Sequence, residues 1–340
     1  MRLHCILSVL ALVSSRAVFV GAAVPPIRQD QSTQHPLSAP IQHRPLVIWH
    51  GLGDTALSEG IAGFIEDIKA QYPGIFVYSV QIPKGGSLDA ERKAGFFGKM
   101  EEQVQDGCEQ LGGIPELAGG FDAMGFSQGG LYLRSYAQFC NDPPVRNLIT
   151  FGTPHYGISA LLPCPTPPTL QCRLAARAAQ SGIYTQWAQN HLVQAQYFRD
   201  VERLAEYGEV NTFLTRLNNE TLPTPKSERS DAQSSALVSQ TKGKGTGRLE
   251  GLENFVAMMF DADKTVSPAQ SAHFWTYTPG NKTLLLPLAS QPLYTQDWIG
   301  LRDLDERGRL HLGHCVGEHM DLDSGGCAQG VVDKWVGGRV

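Results

Sequence analysis

Met124-Gly125-Phe126-Ser127-Gln128-Gly129-Gly130 reads as a G-x-S-x-G turn that ends a strand and opens a helix. Such a turn holds its serine in a strained backbone conformation, so the residues two before and two after it must be small enough for the chains to pass. Gly125 and Gly129 meet that need. In a chain with 36 glycines a short glycine template also arises by chance, so the flanking sequence has to decide. Residues 121–124 form a short run of strand type, and residues 130–139 carry apolar side chains at helical spacing. The segment therefore predicts strand, turn and helix with a serine nucleophile at the turn, rather than a glycine turn whose serine only caps a helix. Acyl transfer is the chemistry this implies.

Outward from the turn, strands and helices alternate. Residues 46–49 are a fully apolar strand ending in His50-Gly51-Leu52-Gly53-Asp54, a glycine-rich turn at a strand's carboxyl end. Strands are expected at 75–80, 121–124 and 148–151, with helices at 61–70 and 98–111. That alternation predicts an α/β fold with a mostly parallel central sheet flanked by helices. The rhythm breaks over about 153–250, which reads as a helical insertion. It holds a proline-rich loop at 162–169, helical stretches at 173–179 and 184–198, and a mobile polar loop at about 223–247. Strand signals return at 255–260 and 310–316. A chain of 340 residues, 42% hydrophobic and 18% charged, can bury one sizeable core, so residues 45–340 are expected to form a single domain.

Residues 1–23 read as a secretory signal, with Arg2 as the positive charge, an apolar stretch over 6–13 and Gly21-Ala22-Ala23 as a small-residue cleavage site. Ser14-Ser15-Arg16 interrupts the apolar stretch, and neither half is long enough to span a bilayer. No later segment is a transmembrane candidate. Residues 24–44, rich in Pro, Gln and Ser, read as a flexible leader. Of 7 cysteines, Cys5 falls within the signal, which leaves Cys108, Cys140, Cys164, Cys172, Cys315 and Cys327. An even number in a secreted chain predicts disulfides, and spacing alone does not choose the pairs. No metal site is expected, because no paired C-x-x-C accompanies a spaced histidine pair. Asn219-Glu220-Thr221 and Asn281-Lys282-Thr283 are glycosylation sequons. A net charge of -5 without a basic run argues against nucleic-acid binding. Nothing in the sequence specifies an oligomeric state.

A serine hydroxyl needs a general base, and the base needs a carboxylate to fix its tautomer and stabilise its charged form. In α/β-hydrolases these follow in the order Ser, acid, His, each on a loop after a strand. Asp261 and Asp263 both follow the 255–260 strand, and either can serve. His319 lies on the loop after the last strand, whereas His311 and His314 lie within or at the end of it, so His319 is the expected base. For the acyl oxyanion, the N–H of Gln128 beside the nucleophile and the N–H of Leu52 in the first glycine turn are the expected backbone donors.

The chain resembles the soluble lysosomal palmitoyl-protein thioesterase family. The matching stretches are Leu46-Val47-Ile48-Trp49-His50-Gly51-Leu52-Gly53-Asp54, Ala123-Met124-Gly125-Phe126-Ser127-Gln128-Gly129-Gly130, Leu192-Val193-Gln194-Ala195-Gln196-Tyr197, Leu293-Tyr294-Thr295-Gln296-Asp297 and Gly317-Glu318-His319. The resemblance implies Ser127 as nucleophile, Asp263 rather than Asp261 as acid and His319 as base. It also implies disulfides Cys108–Cys140 and Cys164–Cys172, leaving Cys315 with Cys327. Thr55 and Ala56 stand where the family can carry adjacent cysteines. The implied reaction is hydrolysis of palmitoyl thioesters on cysteines of proteins or peptides through an acyl-enzyme, with no cofactor, in a lysosome or vacuole or outside the cell. A palmitoyl chain needs a long apolar groove, and Ile183, Tyr184, Trp187 and Leu192 in the insertion are its expected walls. Rival readings are a secreted lipase or carboxylesterase acting on oxygen esters, and a catalytically silent α/β-hydrolase used for binding.

Overall fold

Leu46–Trp49 (β1) is apolar at every position because both of its faces are buried. The strand is interior to a sheet, between β2 (Val77–Ser79) and β3 (Phe121–Phe126). The computed structural model describes residues 43–161, 169, 170, 173, 174, 182–220 and 247–338. Residues 1–23, most of the leader, most of the stretch at 173–179, the polar loop up to 246, and Cys164 and Cys172 lie outside the described residues.

The sheet has six strands in the order β2-β1-β3-β4-β5-β8, where β4 is Val145–Phe151, β5 is Asn254–Phe260 and β8 is Leu310–Cys315. All of its pairings are parallel. Side chains alternate along each strand. Val47, Trp49, Ala123, Leu148 and Phe255 join one core, and Leu46, Ile48, Met124, Ile149 and Val256 join the other. Helices cover both faces, as burial on both sides requires. Helix α3 (Met100–Gly112) and helix α4 (Gln128–Phe139) cover the first face, where Trp49 stacks on Tyr132 with ring centroids 4.7 Å apart. Helix α1 (Glu59–Gln71) and the C-terminal helix Cys327–Trp335 cover the second. The neighbours of β1 lie on opposite sides of it, so the carboxyl ends of β1 and β3 flank the switch point at which α/β sheets place their sites.

The described elements depart from the expected ones in extent and in number, β4 among them, which begins at Val145 rather than at 148. The strand at 75–80 shortens to Val77–Ser79. The strand at 121–124 extends to Phe126, because the chain stays paired with β4 until Ser127 N–H donates to Phe151 O at 2.7 Å. Residues between β2 and α3 form a helix that periodicity did not reveal, α2 (Leu88–Phe96), capped by the Ser87 side chain. Between β5 and β8 the chain also forms an antiparallel hairpin of β6 (Thr276–Thr278) and β7 (Asn281–Leu286).

The described part of the insertion after β4 packs against the sheet's first face. Helix Gln186–His191 and the 3-10 turn Val193–Tyr197 replace the single helical stretch expected at 184–198. Its centre holds a buried ion pair in which Arg199 donates from Nε and Nη2 to Glu220 Oε2, each at 3.1 Å, while the Tyr207 hydroxyl donates to Oε1. Two expected disulfides are present among the described residues, Cys108–Cys140 joining α3 to the end of α4 and Cys315–Cys327 joining β8 to the C-terminal helix. No described helix is long and apolar enough to cross a membrane.

Candidate active site

Ser127 has φ 50 and ψ -121, a combination that costs a non-glycine residue free energy unless its surroundings enforce it. They do so through backbone contacts. A Cβ at Gly125 would lie 2.4 Å from Gly130 Cα, and one at Gly129 would lie 2.1 Å from Trp49 O, so β1, β3 and α4 meet where only glycine fits. The Thr153 hydroxyl then donates to Ser127 O at 2.8 Å.

Two loops from the far side of the sheet complete the arrangement. Asp263, on the loop after β5, and His319, on the loop after β8, are joined by backbone bonds: Asp261 N–H to Cys315 O and Ala262 N–H to Gly317 O. His319 Nε2 is 2.9 Å from Ser127 Oγ, and His319 Nδ1 is 2.7 Å from Asp263 Oδ2. The other Asp263 oxygen accepts the N–H groups of Thr265 at 2.8 Å and Val266 at 2.9 Å. Those bonds fix the carboxylate, which is buried to 1% exposure. An ionised Asp263 accepts from Nδ1–H, leaving Nε2 to take the serine proton. Asp261 turns the other way and pairs with His314 at 2.9 Å, both side chains being more than half exposed. His311 is spent on Asn254 Oδ1 at 3.1 Å.

The first glycine turn lies directly against the serine, since a Cβ at Gly51 would sit 3.3 Å from Ser127 Cβ. Leu52 borders the cavity into which Ser127 opens. Gln128 is held by its side chain: Nε2–H donates to Gly95 O at 3.1 Å, and Oε1 accepts from the Tyr197 hydroxyl at 3.0 Å.

Ser127 and His319 open into a cavity of about 800 Å³. One wall is the face of α1 that carries Gly60, Gly63, Phe64, Asp67 and Gln71, and the facing wall holds Leu322, Ala328, Gln329 and Val332. Ile158, Gln194, Tyr197 and Val266 border it near the serine. The expected groove walls are elsewhere. Ile183, Tyr184 and Leu192 are buried in the core on the sheet's first face, and Trp187 is 54% exposed and stacks on His191. None of the four borders the cavity. Apolarity marks Ile183, Tyr184 and Leu192 as packing residues but carries no information on which side of the insertion faces the serine. The α1 wall was missed because its signal is a helical repeat of glycine and polar residues, which reads as a solvated face.

The two sequon asparagines are exposed. Asn281 Oδ1 accepts from Thr283 N–H at 2.9 Å and from its hydroxyl at 2.7 Å.

A parallel sheet of this strand order, with a serine at the strand-to-helix turn and His and Asp on the loops after β8 and β5, defines an α/β-hydrolase. The family profile described as palmitoyl protein thioesterase matches residues 45–319. Palmitoyl-protein thioesterase 1 of Caenorhabditis elegans is 32% identical over 292 residues, 86% of this chain and 91% of that protein. Palmitoyl-protein thioesterase 3 of Dictyostelium discoideum is 30% identical, with 82% and 86% covered. Lysosomal thioesterase PPT2 of Homo sapiens is 26% identical, with 81% and 82% covered. The chain belongs to the palmitoyl protein thioesterase family and is a thioester hydrolase.

Proposed function

We propose that the chain removes palmitate and similar long acyl groups from cysteine thioesters of proteins or peptides through an acyl-enzyme on Ser127. The observation that carries this reading is the hydrogen-bonded series Ser127, His319, Asp263 opening into a cavity of about 800 Å³. His319 Nε2 takes the Ser127 proton as Oγ attacks the thioester carbonyl. The C–S bond then breaks, and the protonated imidazole returns the proton to the departing cysteine sulfur. Water attacks the resulting ester with His319 again as base, the C–Oγ bond breaks, and His319 returns the proton to Ser127 Oγ as palmitate leaves. The Leu52 and Gln128 N–H groups would stabilise the oxyanion of both tetrahedral intermediates, each such donor being worth about 3 kcal/mol in the transition state. Every proton transfer uses the chain's own side chains and water, so the reaction as written calls for no cofactor.

The acyl chain would lie between α1 and the C-terminal helix, over Phe64, Ile68, Phe126, Met320 and Val332. Burial at about 0.8 kcal/mol per methylene would make it the main source of affinity. Residues 45–340 form the hydrolase domain on this reading, with residues 153–250 as its insertion. The signal at 1–23, the disulfides, and sequons at Asn219 and Asn281 support entry into the secretory pathway. Relatives named lysosomal thioesterases support a lysosome or vacuole as destination.

The deciding experiment compares turnover of palmitoyl-cysteine peptides with palmitoyl oxygen esters, alongside labelling by a fluorophosphonate probe. We expect the thioester to be preferred and Ser127 to be the labelled residue. A preference for the oxygen ester would make the chain a carboxylesterase, and no labelling of folded protein would make it a binding protein.

A further inference from the structure

Glu91 is 1% exposed and is the one buried residue of α2. A lone buried carboxylate is costly, yet this one has three donors. Its Oε1 accepts from Ala56 N–H at 2.9 Å and from His50 Nε2 at 3.0 Å, and its Oε2 accepts from Gln81 Nε2 at 3.3 Å. Burial pushes the Glu91 carboxyl up, but the bonds from His50, Ala56 and Gln81 outweigh it and hold it below the usual carboxylate value. The other nitrogen of the His50 ring, Nδ1, faces Gly51 O at 2.9 Å. That carbonyl belongs to the Gly51–Leu52 peptide, whose N–H is the Leu52 donor.

We propose that Glu91 and His50 are positioning residues for catalysis, a second carboxylate–imidazole pair that aims and polarises the Leu52 N–H through the Gly51–Leu52 peptide. This rests on the reading of Leu52 N–H as an oxyanion donor. A carbonyl oxygen only accepts, so the bond between the ring and Gly51 O runs from Nδ1–H. Withdrawing electron density at Gly51 O makes the N–H of the same peptide more positive, the cooperativity of linked hydrogen bonds in a low-dielectric setting. The same helix also fixes the second donor. Gly95 O of α2 accepts from the Gln128 side chain, and Gly95 lies against the first glycine turn, where a Cβ would stand in van der Waals contact with Gly53 N at 3.4 Å. Helix α2 is therefore the template that sets the turn after β1 and the turn after β3 at one spacing.

The test uses the full chain and three ligands: a palmitoyl-cysteine peptide, a trifluoromethyl ketone with the same alkyl chain that adds to Ser127 as a tetrahedral adduct, and a thioether peptide with no carbonyl. Glu91→Gln should lower kcat by at least about tenfold and weaken the ketone by the same factor, while KM and thioether affinity stay within about twofold. Glu91→Gln with wild-type kcat and ketone affinity would overturn the proposal, as would equal losses for ketone and thioether, which would make the pair a fold support only. Should that variant fail to fold, His50 variants decide. His50→Asn can still place an amide N–H toward Gly51 O and should keep more kcat and ketone affinity than His50→Ala; equal losses would overturn the relay. Leu52→Pro deletes the N–H itself after a permissive glycine, and should cost on the order of a hundredfold in kcat. Full activity in Leu52→Pro would sink the oxyanion reading, whereas a crippled Leu52→Pro beside a fully active Glu91→Gln would sink the relay alone.

Discussion

Filling the α1 wall should shorten the acyl chain the enzyme accepts. Gly60 and Gly63 border the cavity, and a Cβ at either meets nothing within 4 Å. At the far end Gln329 Nε2 donates to Gln71 Oε1 at 2.8 Å and Gln71 Nε2 to Asp333 Oδ1 at 2.6 Å, tying α1 to the C-terminal helix. Gly63→Phe puts a phenyl ring between the serine and that polar closure. If the ring displaces about four methylenes at about 0.8 kcal/mol each, the loss is about 3 kcal/mol, or roughly two hundredfold in kcat/KM for palmitoyl. Octanoyl, too short to reach the ring, should keep its rate, and lauroyl should overtake palmitoyl. Gly63→Ala is the control, because it adds one methyl to an open site and raises helix propensity by up to about 1 kcal/mol. The assay is kcat/KM across octanoyl, lauroyl and palmitoyl thioesters on variants with wild-type thermal unfolding. An unchanged palmitoyl-to-lauroyl ratio in Gly63→Phe would mean that the chain leaves the serine in another direction, past Ile158 and Val266.

Ser127→Ala and His319→Ala should each abolish nearly all turnover, on the order of a millionfold for residues that act as a unit, with circular dichroism unchanged. Asp263→Asn should impair turnover strongly and Asp261→Asn little, since Asp261 serves only the exposed His314; equal losses at the two aspartates would refute the assignment. Replacing both Cys315 and Cys327 by Ser should cost about 3 kcal/mol of stability and lower kcat, because their bridge closes the loop that carries His319; free thiols at both positions in active protein would contradict this. Burial raises the Asp122 carboxyl to about 7 against the pull of Arg44 at 3.0 Å. The folded state then binds more protons than the unfolded one from the ordinary carboxylate range up to about 7, so this contribution to stability is present at low pH and lost as pH rises through that window. Urea unfolding at mildly acidic and neutral pH should show a steeper fall with rising pH in wild type than in Asp122→Asn, and equal slopes would refute it.

The sheet was legible because strands buried on both faces write continuous apolar runs, as 46–49 and 255–260 do. Helix α2 was not, because its inward side is a carboxylate, and a glutamate in a short polar helix reads as solvated. The hairpin over 276–286 escaped in the same way, since all six residues of Asn281–Leu286 are exposed or only partly buried and show no alternation. The choice between Asp261 and Asp263 depended on family resemblance, and its physical ground is local. Two backbone N–H groups aim at Asp263 Oδ1 and hold that carboxylate toward His319, whereas Asp261 points to the exposed His314. Cavity walls were the least legible feature. A groove is shaped by side chains that are small or missing, and hydrophobicity, the signal that pointed to Ile183, Tyr184, Trp187 and Leu192, finds what fills space.

What the sequence encoded most economically is the spacing of two turns. Parallel pairing of β1 with β3 sets Trp49 beside Gly125, so the next residues along both strands leave the sheet together, His50 to Leu52 on one and Ser127 to Gln128 on the other. Their approach is close enough that glycine is required at 125 and 129. The strain at Ser127 follows from that approach, and strained backbone of this kind costs about 1 to 3 kcal/mol. The offset comes from bonds the same turns make, Phe151 O and the Thr153 hydroxyl on the serine's peptide groups and the Gly95 and Tyr197 bonds on Gln128. On the proposed reading the nucleophile and both oxyanion donors thus belong to one rigid backbone unit, and only His319 with Asp263 arrives from the other end of the sheet. Substitutions that loosen the His319 loop should therefore change how well the proton is moved, and substitutions around α2 should change how well the oxyanion is held. Those two classes separate in a measurement: the first should shift the fluorophosphonate labelling rate with little effect on affinity for a tetrahedral adduct, and the second should weaken that affinity in proportion to kcat.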